Sequence, residues 1–90
     1  MINILVRHTI ADYAKWRPAF DAHAAVRQAG GATGVYQVYR DVENPDQVTL
    51  MLEWDNAENA QVFSSDPALK EAMQAAGVTG APELHFLNRA

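Results

Sequence analysis

Cysteine is absent from the 90 residues. That excludes a disulfide scaffold, a thiolate zinc site and a thiol nucleophile. Positive charge is sparse: two lysines (Lys15, Lys70) and five arginines face 11 Asp and Glu, leaving a formal charge of −4 and a pI near 5.1. Phosphate backbones are bound by clustered Lys and Arg, so nucleic acid is not an expected partner. No apolar run approaches the roughly 18–20 residues of a membrane span. The opening MINILVRHTI carries no basic leader and no small-residue cleavage site, so a cytoplasmic protein with no membrane partner is the expectation. Gly-rich phosphate loops, G-x-S-x-G elbows and H-E-x-x-H helices are also missing. Gly30-Gly31 follows a helical stretch rather than a strand, and so reads as a helix stop.

What remains is ordinary globular composition, 49% hydrophobic and 20% charged, enough to fold rather than stay disordered. The length suits a single domain over 1–90. A chain this short buries only about 60–65% of its unfolded surface. An open apolar sheet face on so small a domain would call for a second copy.

Hydrophobic periodicity sets out the elements. Ile2 to Thr9 reads as a strand with Ile2, Ile4, Val6 and His8 on one face and Leu5 and Arg7 on the other. A helix follows, capped by Thr9 or Asp12 and running to Gly30-Gly31, with a kink or division expected at Pro18. A second strand spans roughly Val35 to Val42. The turn Glu43-Asn44-Pro45-Asp46 joins it to a third, Gln47 to Trp54, as a hairpin. Asp55 or Asn56 opens a second helical stretch, which Ser64-Ser65-Asp66-Pro67 interrupts and Pro67 restarts. A last strand covers about Glu83 to Asn88. The order is β-α-β-β-α-β, an α+β, ferredoxin-like unit with a four-stranded antiparallel sheet. Leu5, Tyr39, Met51 and Leu87 fall on the face away from the helices, so a homodimer through sheet faces is expected.

At 100° per residue, Trp16, Phe20, His23 and Arg27 lie within about 60° of one another on the first helix. A pure packing helix would carry Leu or Ala at the centre of that arc. Two readings stand. Either Arg27 reaches solvent at the helix end and His23 meets a backbone carbonyl, or both line a cavity between helix and sheet. In a cavity, His23 is a general base and Arg27 holds a carboxylate or a developing oxyanion. His8, on the helix-facing side of the first strand, adds a second imidazole to the same layer. Trp16, Phe20, Tyr36 and Trp54 are the candidate walls for a small hydrophobic or aromatic ligand; Phe20, Phe63 and Phe86 also suit a simple core. Two histidines need a third ligand to hold zinc, and Asp12, Glu53 and Glu58 have no diagnostic spacing, so no metal is expected.

The segments VRHTIADYAKWRPAFDAHAAVRQAGG, NPDQVTLMLEWD and SDPALKEAMQAAGV resemble small bacterial proteins of the dimeric α+β barrel superfamily. These are grouped with the antibiotic biosynthesis monooxygenases and sometimes labelled cyclases. The resemblance covers nearly the whole chain. It implies a ferredoxin-like protomer, two sheets packed face to face, and a pocket between sheet and helices in each subunit. Monooxygenase members oxidise anthrones or quinols with O2 and need no metal or flavin. Matched onto this chain, the pattern points to His8, Trp16, Phe20, Asp21, His23 and Arg27. The Asn-Trp-His triad of haem-degrading relatives is not visible here. The resulting expectation is cofactor-independent oxygenation or proton-transfer chemistry on an aromatic or phenolic substrate, with His23 as base, His8 beside it and Arg27 stabilising the anion. The alternatives are a non-catalytic dimer that binds a ligand or serves as a stress or accessory protein, and a purely structural dimerisation module.

Overall fold

Strand β1 (Ile2–Ile10) shows why the chain has an inside and an outside. Its side chains alternate, and Ile2, Ile4, Val6, His8 and Ile10 are all buried, whereas Arg7 and Thr9 are exposed. Strand β3 (Gln47–Trp54) repeats the pattern, with Val48, Leu50, Leu52 and Trp54 buried. The two strands pair antiparallel in the register Ile4 to Leu52 and Val6 to Leu50, so their apolar rows share one face. A computed structural model describes residues 1–90. It completes the sheet with β2 (Ala32–Arg40) on the far side of β3 and β4 (Val78–Asn88) on the far side of β1. The strand order is β2-β3-β1-β4, antiparallel throughout.

Four helices cover the apolar face: α1 (Tyr13–Ala22), α2 (Ala24–Ala29), α3 (Ala57–Ser64) and α4 (Pro67–Ala75). The starts of α1, α3 and α4 follow from local chemistry. Asp12 accepts from the Ala14 N–H at 3.0 Å, Asn56 from Asn59 at 2.8 Å and Asp66 from Ala68 at 2.9 Å. Each such cap satisfies a donor that the first turn leaves free. Trp16, Phe20 and Ala60 join the strand residues in a core of 11 buried hydrophobic side chains. Full burial of one large aliphatic side chain is worth about 1.5–3 kcal/mol. Phe86, read as core, is 39% exposed because β4 is an edge strand.

Three boundaries depart from the sequence reading. The first helix divides at His23, not at Pro18. Pro18 removes the N–H that would bond the Ala14 carbonyl, but Ala14 is exposed, so water can take that acceptor. At His23 the backbone leaves the helical range (φ −86°, ψ 3°), and the Phe20 carbonyl accepts from the His23 N–H at 3.2 Å. The Arg27 guanidinium donates to the same carbonyl at 2.7 Å. Strand β2 starts at Ala32 rather than Val35, because Ala32 pairs with Trp54 across an irregular stretch containing Gly34 at φ +95°. Strand β4 starts at Val78 rather than Glu83, after which its pairing with β1 shifts between Thr9 and Arg7.

Candidate functional site

The helix layer does not close fully onto the sheet. Between them lies a cavity of about 350 Å3. Ile4, Val6, Leu50, Leu52 and Leu84 form its floor; Trp16 and Phe20 wall it from α1, and Leu69 and Met73 from α4. The wall is overwhelmingly apolar. Its polar side chains are His8, His23, Arg27 and Ser64.

Alternation along β1 turns His8 inward. Its side chain is buried (5% exposed) and sits edge-on to the Trp16 indole, 5.7 Å between centroids. Neither ring nitrogen has a hydrogen-bond partner. Buried polar groups are nearly always bonded, and an orphan costs about 1–3 kcal/mol. Burial also pushes the imidazole pKa below its usual 6.5, because the charged form loses its water. The His8 ring therefore favours its neutral form at neutral pH, and both of its nitrogens are covered by surrounding atoms.

Arg27 comes from α2, one turn after the break at His23. It is 8% exposed and has no carboxylate partner. Its guanidinium carbon lies 3.9 Å from the centroid of the Phe20 ring, a cation–π contact that orients the head group. Phe20 is itself stacked on Trp16 at 5.1 Å and meets the Tyr36 ring edge-on at 5.4 Å. Burial lowers the Arg27 pKa, yet an arginine stays charged in proteins. His23 lines the same cavity, half-buried, and its ring makes no hydrogen bond within the chain.

His8, Trp16, Phe20, His23 and Arg27 thus meet at one cavity, whereas Tyr36 and Trp54 are not on its wall. Trp54 is fully buried, packs against Phe63 at 4.8 Å and donates its indole N–H to the Gly30 carbonyl at 2.9 Å. That bond ties β3 to the end of α2. Tyr36 shares a smaller recess of about 50 Å3 with Arg27, Gln28 and Glu53. Asp21 points to solvent and pairs with Arg17 at 3.1 Å. No group of three His, Asp or Glu residues is placed to hold a metal ion. Phe63, read as core, also reaches the wall, and Leu69, Met73 and Ser64 join it there without having been singled out in the sequence. An apolar residue that lines a cavity looks the same in sequence as one that packs solidly.

No protein-family model matches the sequence, and no curated protein matches it significantly. Solved structures do match it in shape. A protein from Bordetella bronchiseptica, provisionally described as an antibiotic biosynthesis monooxygenase, superposes with a TM-score of 0.79 at 17% identity, covering 99% of this chain and 96% of that one. A protein of the same provisional description from Caulobacter crescentus gives 0.73 at 20% identity, covering 99% and 89%. SnoaB, a cofactor-independent oxygenase from Streptomyces nogalater, gives 0.71 at 15% identity, covering 99% and 94%. The chain therefore has the ferredoxin-like fold of the antibiotic biosynthesis monooxygenase-like proteins.

Proposed function

We propose that this chain is a small-molecule enzyme that takes a proton from an aromatic or phenolic substrate and passes the resulting carbanion to O2, without a resident cofactor. The observation that carries the reading is His8: a buried, neutral imidazole with both nitrogens unpartnered, at the wall of an apolar cavity. Such an orphan is a cost to the fold unless a ligand uses it. Sequence periodicity assigned the base to His23. The unpartnered ring nitrogens and the contact with Trp16 single out His8 for that role, with His23 as a second polar contact on the same wall.

The cavity sits at the lower end of the ~300–1,000 Å3 typical of ligand sites, which suits a body of a few fused rings. An anthrone-type methylene fits the chemistry. His8 accepts one methylene proton, and the electron pair delocalises into the ring system as an enolate. The imidazolium formed at His8 and the positive Arg27 together offset that negative charge. The carbanion reduces O2 and a new carbon–oxygen bond forms at the former methylene. One oxygen atom remains there as a carbonyl, and the other leaves as water with the two methylene hydrogens. The substrate supplies all the electrons, so the balance closes with one methylene and one O2 consumed, one carbonyl and one water formed. SnoaB, whose fold is shared, is a cofactor-independent oxygenase, which lends this reaction class support.

The test is oxygen uptake with a phenolic anthrone, comparing wild type with His8→Phe. Phenylalanine keeps the aromatic edge against Trp16 and removes the base. Loss of a general base lowers rates by about 10²–10⁴-fold, so uptake in the variant should approach the uncatalysed rate. Equal rates in both proteins would refute the role of His8. Tight binding of the anthrone by wild type with no uptake would make the chain a ligand-binding protein instead.

A further inference from the structure

We infer that the ligand of this cavity carries one permanent negative charge, a carboxylate on an aromatic body, and that Arg27 is its counter-ion. The inference rests on the cavity being a ligand site, and it specifies the ligand's class.

Arg27 is the one charged side chain on the cavity wall, and no carboxylate lines that wall. The carboxylates around it are engaged elsewhere. Asp21 pairs with Arg17, and Glu53, in the recess on the other side of Arg27, accepts from the Thr33 hydroxyl at 2.8 Å. A guanidinium has five N–H donors. One of them meets the Phe20 carbonyl; the others have no acceptor in the chain. A buried charge without a partner is unfavourable, and here it lies against a cavity rather than inside packed core.

The head group is also held in place. It is braced over the Phe20 ring and by its bond to the Phe20 carbonyl, so the fork loses little freedom when it accepts a partner. A planar guanidinium matches a carboxylate with two parallel bonds. One cation beside a neutral His8 balances one negative charge. A phosphate dianion would bring a second charge with nothing on the wall to meet it. Stabilisation of a transient oxyanion alone would leave the cation unpaired in the resting complex, whereas a permanent carboxylate pairs it from the moment of binding.

The experiment compares binding of 1-naphthoate with its uncharged isostere 1-naphthamide, and with 1-naphthyl phosphate, by calorimetry at pH 7.5 on the whole protein. A charge-assisted bond is worth roughly ten- to hundred-fold in affinity, so naphthoate should exceed naphthamide by about that factor in wild type, and naphthyl phosphate should bind no better than naphthoate. In Arg27→Gln the acid preference should vanish while naphthamide binding persists. Arg27→Lys should keep part of the preference. Equal affinity for acid and amide in wild type, stronger binding of the phosphate, an acid preference that survives in Arg27→Gln, or no binding of any probe would each overturn the inference. No turnover is needed for this readout. A wild type that prefers the acid yet never consumes O2 would contradict the oxygenase reading and leave the carboxylate site standing.

Discussion

His8 shows how one residue couples the site to the fold. Its pKa is lowered in the folded chain from 6.5 by burial. Well above pH 6.5 the ring is neutral folded or unfolded, and it adds nothing to the pH dependence. Below pH 6.5 the unfolded chain takes up a proton that the folded chain refuses. Stability is therefore lost as pH falls from 6.5 toward the folded pKa. His8→Phe should remove that part of the slope in urea unfolding measured between pH 7.5 and 5. The same variant should be more stable than wild type by about 1–3 kcal/mol at pH 6, because the orphaned nitrogens are gone. A variant that is less stable, with an unchanged pH slope, would mean that His8 is a satisfied packing residue. The inward placement of His8 was legible from the alternation Ile2, Ile4, Val6, His8. Its lack of any partner was not, since that depends on what the helices bring opposite it. Trp54 illustrates the reverse. A large aromatic with a polar N–H reads equally well as pocket wall or core, and its bond to Gly30 decides for core.

At the level of elements, caps and turns were the most legible features. Asp12, Asn56 and Asp66-Pro67 start helices where short-range hydrogen bonding requires it. The Gln47–Trp54 strand follows directly from strict alternation. Boundaries fixed by long-range bonds were not legible. The division at His23 is stabilised by a side chain seven residues beyond Phe20, outside any local rule. The first half of β4 contains Thr79-Gly80-Ala81-Pro82, which reads as loop chemistry. Pairing of Thr9 with Thr79 and Ile10 with Val78 draws it into the sheet nonetheless. The helical stripe Trp16, Phe20, His23, Arg27 survived this division, because each part still faces the sheet.

At the scale of the whole molecule, the helices cover one face of the sheet and leave the other without a layer. On that face Leu5 and Met51 are half-buried, and Tyr39 and Leu87 are 57% and 40% exposed. No helix is long and apolar enough to cross a membrane. A second copy laid against this face would bury the row, and the expected light-scattering mass at micromolar concentration is about twice the 9.9 kDa of one chain. Met51→Lys should shift that mass toward the monomer by placing a charge in the apolar row; a wild type already near 10 kDa by the same measurement would count against the dimer. The central claim remains chemical: a neutral His8 waits in an apolar cavity for a proton from the ligand. Exchange of the anthrone methylene hydrogens with solvent deuterium, followed by proton NMR in the absence of O2, reads that step directly. Wild type should speed the exchange by about 10²–10⁴-fold over His8→Phe. Equal exchange rates in the two proteins would contradict it.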